Sequence, residues 1–179
     1  MNAKKINNNF EPYKRVVKFV GSAIIVLLEL AAYYYVWMNY YNRNMTVAFW
    51  RRGNWLIAGE YLILSLVLHR LYGGLKVGIY KYWTLVYSHM LSLVGVNAFS
   101  YVQVVLFDKK MHNPAALLGL TALDFVMVLL WALAFKKIYA AMFPKRRLLL
   151  IYGKKPMFHL VNRIDTRDDK YEIAENISI

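Results

Sequence analysis

The stretch VVKFVGSAIIVLLELAAYYYVWM, from Val16 to Met38, decides the fold class of this 179-residue chain. About 20 apolar residues in a helix are enough to cross the hydrocarbon core of a bilayer. Backbone groups without partners are not tolerated in lipid, so a stretch of this kind must be helical. Residues 1–13 are polar, and the stretch is too long for the apolar part of a signal peptide and lacks a small-residue cleavage site. We therefore expect a retained first membrane span.

Three further apolar stretches predict a second, third and fourth span. They run from about Asn54 to Leu71, from Trp83 to Phe107 and from Ala115 to Phe135, the last continuing as a helix through Phe143. Spans two and three are joined by LYGGLKVGIYKYW, a connection with glycine hinges. Pro114 suits the first turn of the fourth helix, and Pro144 ends it. The first 143 residues thus predict an all-α membrane four-helix bundle.

The composition excludes several classes of function. The formal net charge is +13, but the basic residues cluster at the ends of the apolar stretches. This pattern indicates contact with lipid headgroups and control of topology, and we expect no nucleic-acid partner. The chain has no cysteine, which excludes disulfides and thiolate chemistry.

The orientation follows from counting lysine and arginine residues beside the spans. Thirteen belong to one side: Lys4, Lys5, Lys14, Arg15, Lys18, Arg70, Lys76, Lys81, Lys136, Lys137, Lys145, Arg146 and Arg147. Five belong to the other: Arg43, Arg51, Arg52, Lys109 and Lys110. The positive-inside rule places the richer side, and with it both termini, in the cytoplasm. We expect a multi-pass membrane protein.

Aromatic residues crowd the outer end of the first span. They are Tyr33, Tyr34, Tyr35, Trp37, Tyr40 and Tyr41. Amphipathic rings settle at headgroup depth, so the cluster is typical of an interfacial belt. The alternative is an aromatic cluster in the core of the bundle.

The composition changes after Pro144. LLLIYG, from Leu148 to Gly153, has the form of a buried parallel strand. Residues from Lys155 to Thr166 have helical spacing, and a second strand is predicted near Tyr171 to Ala174. One β-α-β unit cannot cover both faces of a parallel sheet, so we expect a truncated, Rossmann-like α/β segment in the cytoplasm. Three domains are predicted: a cytoplasmic segment (residues 1–15), the membrane domain (residues 16–143) and the start of the Rossmann-like domain (residues 144–179).

Polar residues at membrane depth are candidate functional residues, because each charged one costs about 2.5 to 3.5 kcal/mol at a helix centre. They are Glu29, Glu60, Asp124 and Asn97, with His89 and Gln103 also in span three. They suit either interhelical hydrogen bonds or a transport path, and we favour the structural role. A small four-helix transporter or channel-like protein that uses Glu29, Glu60 and Asp124 is the alternative function.

The basic residues beside the cytoplasmic face are candidate contacts for anionic headgroups. They are Lys14, Arg15, Lys18, Arg70, Lys76, Lys81, Lys145, Arg146 and Arg147. Each such contact is worth about 1 kcal/mol. Determination of topology alone explains the same pattern.

No metal, cofactor or catalytic motif is apparent. His69, His89, His112 and His159 have no mutual helical spacing, which predicts no metal site. The turn YGKKPMF after the first predicted strand has one glycine where a dinucleotide fingerprint needs three.

Four segments in a fixed order resemble a known family. FWRRGN (Phe49 to Asn54), RLYGGLKVG (Arg70 to Gly78), LLLIYG and NRIDTRDDKYEI (Asn162 to Ile173) look like the N-terminal region of the bacterial polyprenyl glycosylphosphotransferases. The resemblance covers nearly the whole chain. It implies four membrane helices, then a Rossmann-like domain, then a catalytic domain that moves a sugar phosphate from a nucleotide sugar to undecaprenyl phosphate in exopolysaccharide or O-antigen synthesis.

The resemblance assigns no catalytic residue to this chain. The family's Asp-Glu pair and its magnesium ion belong to the C-terminal catalytic domain, and Asp168-Asp169 is here a turn without the re-entrant hairpin. We therefore expect an anchoring and regulatory part that is inactive alone and holds no cofactor. The implied partners are membrane lipids, undecaprenyl phosphate and a second copy of the chain.

Overall fold

Four long helices dominate the computed structural model, which describes residues 11–143, 146–152 and 171–178. A short 3₁₀ turn (Glu11–Tyr13) leads into α1 (Lys14–Val36), which continues through a π-helical turn (Trp37–Tyr41) and a last helical turn (Asn42–Asn44). The other helices are α2 (Arg51–Tyr72), α3 (Tyr82–Asp108) and α4 (Ala115–Met142).

The four predicted membrane spans are confirmed. Each helix is long and apolar enough to cross a bilayer, and the first is continuous from Lys14 to Asn44. The outward surface carries large apolar side chains, among them Phe19, Leu27, Ile63 and Leu130. A soluble protein does not expose apolar surface on this scale. The chain is therefore a multi-pass membrane protein.

Contacts between the helices place alternate connections at opposite ends of the bundle. At one end, the Ser22 hydroxyl of α1 donates to the carbonyl of Leu75, in the α2–α3 connection, at 3.2 Å. At the other end, the Tyr41 hydroxyl donates to the carbonyl of Asn113, just before α4, at 3.1 Å. Consecutive helices therefore run antiparallel.

Two asparagines order the loop between α1 and α2. The side chain of Asn42 accepts from the Phe49 amide at 2.7 Å and donates to the Phe49 carbonyl at 3.3 Å. The carbonyl oxygen of the Asn54 side chain accepts from the Trp37 indole at 2.9 Å. These bonds satisfy polar groups where the chain leaves one helix and enters the next.

The aromatic residues of the first span divide between the core and the surface. Tyr33, Trp37 and Tyr41 are at most 2% exposed, whereas Tyr35 is 70% exposed. The buried residues are four positions apart and so share one helical face. Tyr33 stacks on Tyr61 of α2 with 3.8 Å between the ring centroids. For these three residues, a core cluster replaces the predicted interfacial belt.

Two strands follow the helices. β1 (Arg146–Tyr152) and β2 (Tyr171–Ser178) pair in parallel, with an irregularity in register between Leu148 and Leu149. The helix predicted from Lys155 to Thr166 lies outside the described residues. A Rossmann-like topology therefore stays a prediction. Residues Pro12–Lys136 form one compact unit, and those from Lys137 onward belong to another.

Gly21 permits close packing between α1 and α4. A Cβ atom at this position would lie 2.3 Å from Cε2 of Phe135 and 2.8 Å from Cδ2, closer than two carbon atoms can approach. The ring or the helix must shift to accept any larger residue.

We expect Gly21→Ala to lower the free energy of unfolding by about 1–3 kcal/mol, the usual cost of overpacking. Gly59→Ala is the matched control, because nothing lies within 4 Å of its added Cβ. That change should be neutral or stabilise the helix by up to about 1 kcal/mol. Unfolding of both variants in detergent, followed by tryptophan fluorescence, measures the difference. Equal stability of the two variants would contradict the close contact.

Candidate functional site

A carboxylate and two imidazoles meet in the interior of the bundle. Glu29 of α1, His69 of α2 and His89 of α3 are each 0% exposed. Nε2 of His69 lies 2.9 Å from Nδ1 of His89. One oxygen of Glu29 lies 3.4 Å from the His69 nitrogen, and the other lies 3.3 Å from the His89 nitrogen.

The outer nitrogens of both rings are bound to backbone carbonyls. Nδ1 of His69 lies 2.8 Å from the carbonyl oxygen of Ser65, and Nε2 of His89 lies 3.0 Å from that of Gly74. A carbonyl oxygen only accepts hydrogen bonds, so each of these nitrogens carries a hydrogen. In the neutral rings, the two inner nitrogens therefore hold lone pairs, and these lone pairs face each other.

The glycine connection between α2 and α3 closes over this centre. Gly73 ends α2 in the left-handed conformation, with φ of 85°. At Gly74, a Cβ atom would lie 2.7 Å from Cδ2 of His69 and 3.4 Å from Cδ2 of His89. The backbone of Gly74 can approach the rings because the residue has no side chain. The predicted glycine hinge thus packs against the two histidines.

A second polar network lies between α2, α3 and α4. The Tyr61 hydroxyl donates to the side-chain oxygen of Asn97 at 3.1 Å. The Asn97 amide donates to the Thr121 hydroxyl at 2.9 Å and to a carboxylate oxygen of Asp124 at 3.3 Å. The network joins three helices, and the structural role favoured for Asn97 and Asp124 stays a prediction.

The three predicted intramembrane acids belong to three different groups of contacts. Glu29 faces the histidines, Asp124 accepts from Asn97, and Glu60 accepts from the Gln103 side chain. Glu29 and Asp124 are fully buried, whereas Glu60 is half-buried. The three acids do not form one polar row.

Most of the candidate headgroup contacts lie at one end of the bundle. Lys14, Arg15 and Lys18 occupy the first turns of α1, and Arg70, Lys76 and Lys81 lie at the end of α2 or in the following connection. Lys136 also lies at this end, since its Nζ is 6.0 Å from the centroid of the Tyr82 ring. The side chains of Lys145, Arg146 and Arg147 lie outside the description.

The spacing of the histidines predicted no metal site, and this stays a prediction, but the structure brings His69 and His89 together beside Glu29. His69 and His89 belong to different helices, so no regular spacing along one helix brings them together. They meet because α2 and α3 are antiparallel and joined by a short connection. The available signal was the position of one histidine near each end of that connection, with an acid in the preceding span. The three donor atoms are of a kind that holds a divalent cation, and they lie within 4.8 Å of one another.

Comparison with known proteins returned no similar protein. The chain matches no protein-family model, no curated protein and no solved structure.

The hydrogen bond between Tyr61 and Asn97 is expected to stabilise the bundle. In a double-mutant cycle, Tyr61→Phe and Asn97→Ala should show a coupling free energy of about 0.6–2 kcal/mol, typical of interhelical hydrogen bonds in membranes. Unfolding in mixed detergent micelles measures it.

The control cycle pairs Tyr61→Phe with Asn54→Ala, whose partner is Trp37. These sites share no hydrogen bond, and their effects should add within about 0.3–0.5 kcal/mol. Additive effects in the Tyr61–Asn97 cycle would show that the bond contributes nothing to stability.

Proposed function

We propose that this chain is the membrane-anchoring and positioning part of a bacterial polyprenyl-phosphate sugar-phosphate transferase. The observation that carries the proposal is the passage of the last membrane helix into parallel strands. α4 ends at Met142, and β1 begins at Arg146. Two paired parallel strands after the last membrane helix suit the start of an α/β segment that a membrane anchor carries. The ordered segments from Phe49 to Ile173 are the basis for the family and for its sugar-phosphate chemistry.

In this proposal, the protein lies in the bacterial inner membrane with both termini in the cytoplasm. The end of the bundle that carries Lys14, Arg15, Arg70, Lys76 and Lys81 faces the cytoplasmic leaflet. This orientation follows the positive-inside rule, and anionic headgroups add about 1 kcal/mol for each cation close to the surface. The polyprenyl phosphate and the nucleotide sugar would then meet on the same side of the membrane.

The orientation is testable with single cysteines, because the natural chain has none. Val47→Cys and Met111→Cys place thiols in the first and third connections, where the native residues are 79% and 87% exposed. Lys81→Cys places one in the second connection. In intact spheroplasts, a membrane-impermeant maleimide should label the first two variants only. Lys81→Cys should react after permeabilisation, which is also the control for thiol reactivity. Labelling of Lys81→Cys in intact spheroplasts would show that the protein has the opposite orientation.

A groove on the membrane-facing surface supports a lipid partner. It has a volume of about 530 Å³ and lies between α1, α2 and the glycine connection. Its lining is almost entirely apolar and includes Phe19, Ala23, Leu66 and Leu75, and Lys18 is its one charged residue. An isoprenoid chain with a terminal phosphate matches this combination. The groove lies at the basic end of the bundle, where the phosphate would be within the headgroup layer.

We expect Ala23→Trp to fill the groove and to reduce photo-crosslinking of a diazirine-bearing polyprenyl phosphate several-fold. Ala31→Trp, on the exposed surface of the same helix, is the control and should label like the natural chain. Lys18→Gln should reduce labelling by the phosphate but not by the corresponding polyprenol. Undiminished labelling of Ala23→Trp would exclude the groove as the lipid site.

The proposal assigns no catalytic residue to this chain. The Asp-Glu pair and its magnesium ion belong, by the resemblance, to a separate catalytic domain, so this part acts by anchoring, positioning and pairing with a second copy. Transport through Glu29, Glu60 and Asp124 is the alternative. Separate surroundings for the three acids favour the anchoring role. Solute flux that disappears in a Glu29→Gln, Glu60→Gln, Asp124→Asn variant with intact insertion would favour transport.

A further inference from the structure

We propose that Glu29, His69 and His89 bind one divalent transition-metal ion, with zinc the expected metal, inside the membrane bundle. The contact between the two histidines is the starting point. Their inner nitrogens are 2.9 Å apart, and both outer nitrogens donate to backbone carbonyls. Two facing lone pairs at this distance repel, so a positive centre must lie between them. It is either a shared proton or a metal cation.

The carboxylate distinguishes these two possibilities. Among the described residues, no hydrogen-bond donor reaches Oε2 of Glu29, although the side chain is fully buried. A proton shared between the histidines would lie between the two nitrogens, so this oxygen would have an ion pair with the His69 ring at 3.4 Å but no direct hydrogen bond. A metal ion among the three side chains satisfies both nitrogens and the carboxylate together. A buried carboxylate oxygen that makes no hydrogen bond is costly, which favours the metal.

The distances fit a tetrahedral ion. With metal–nitrogen and metal–oxygen bonds of about 2.0–2.2 Å, neighbouring donor atoms in a tetrahedron lie about 3.3–3.6 Å apart. Each inner nitrogen has this spacing to a different oxygen of Glu29, 3.4 Å from His69 to Oε2 and 3.3 Å from His89 to Oε1, so the ion can lie between the nitrogens and either carboxylate oxygen. The nitrogen–nitrogen distance needs to open by only a few tenths of an ångström. Two imidazoles and a carboxylate suit zinc, and they leave a fourth position for water or for the second carboxylate oxygen.

The surroundings also match those of ligating histidines. Such histidines commonly donate their other ring hydrogen to a carbonyl or carboxylate, which sets the tautomer and orients the lone pair. Ser65 and Gly74 provide the two carbonyls here. The ring of Trp131 lies 5.5 Å from that of His89 and contributes to an apolar wall.

The ion would have a mechanical role. The ligands come from α1, α2 and α3. One of them, His89, also donates a hydrogen bond to the backbone carbonyl of Gly74. Metal binding would therefore join these helices at the end of the bundle that holds the glycine connection.

The test is metal analysis of the full chain, purified in detergent with a streptavidin-binding tag, since a polyhistidine tag would itself bind metal. Inductively coupled plasma mass spectrometry should find about one zinc ion, or another divalent transition-metal ion, per natural chain. The metal content should fall below about a tenth of that value in Glu29→Gln, His69→Gln and His89→Gln. His112→Gln is the matched control. It removes a histidine that pairs with a carboxylate, that of Asp108, at the opposite end of the bundle. This variant should retain the metal.

A second measurement avoids variants that fail to fold. The natural chain, stripped with a chelator, should regain several degrees of unfolding temperature on addition of zinc, because a ligand that binds the folded state stabilises it. Cobalt in place of zinc should produce the visible absorption of a four-coordinate site. The proposal is overturned if the natural chain holds no stoichiometric metal and neither ion changes its unfolding or its spectrum. Loss of metal in His112→Gln to the same extent as in the site variants would also overturn it.

Discussion

The organisation of this bundle depends on a carboxylate buried where neither water nor lipid can solvate it. Glu29 lies in the middle of α1, and its charge must be matched by groups on other helices. His69 and His89 face it with their inner nitrogens, and each ring is held in place by a backbone carbonyl. The centre joins α1 to α2 and α3, and through the Gly74 carbonyl it also contacts the glycine connection. Gly74 is part of the same arrangement, because a larger residue there would displace the His69 ring.

The opposite end of the bundle is organised by aromatic side chains. Tyr33, Trp37 and Tyr41 form a buried stripe on the first helix, and their polar atoms serve the ends of neighbouring helices. The Trp37 indole donates to Asn54, and the Tyr41 hydroxyl both donates to the Asn113 carbonyl and accepts from the Leu117 amide. Large rings with one polar atom suit this position, since they fill space and satisfy backbone groups in a region with little water. A polar centre that joins α1, α2 and α3 and an aromatic cluster that joins α1, α2 and α4 thus connect the four helices.

Local sequence was sufficient for the elements of this fold. Hydropathy predicted all four spans, because a long uncharged stretch has no other stable structure in a bilayer. The predicted bounds of the spans were close to those observed. The first helix extends further than predicted, from Lys14 through a π-helical turn to Asn44. The sequence did not predict which polar side chains contact each other between the spans. Glu60 with Gln103 and Asp124 with Asn97 depend on the rotation of each helix about its axis, which is decided by packing against its neighbours.

The sequence by itself determined that this protein has four apolar helices in a membrane and that its basic residues concentrate beside one set of helix ends. Those properties depend on composition along the chain. Only the tertiary structure decided which face of each helix is buried. In the structure, Tyr33, Trp37 and Tyr41 lie in the core and not in the predicted interfacial belt. Two histidines with no regular spacing contact the acid of the first span. A site made of residues 29, 69 and 89 comes from three separate helices, so it exists only once those helices pack.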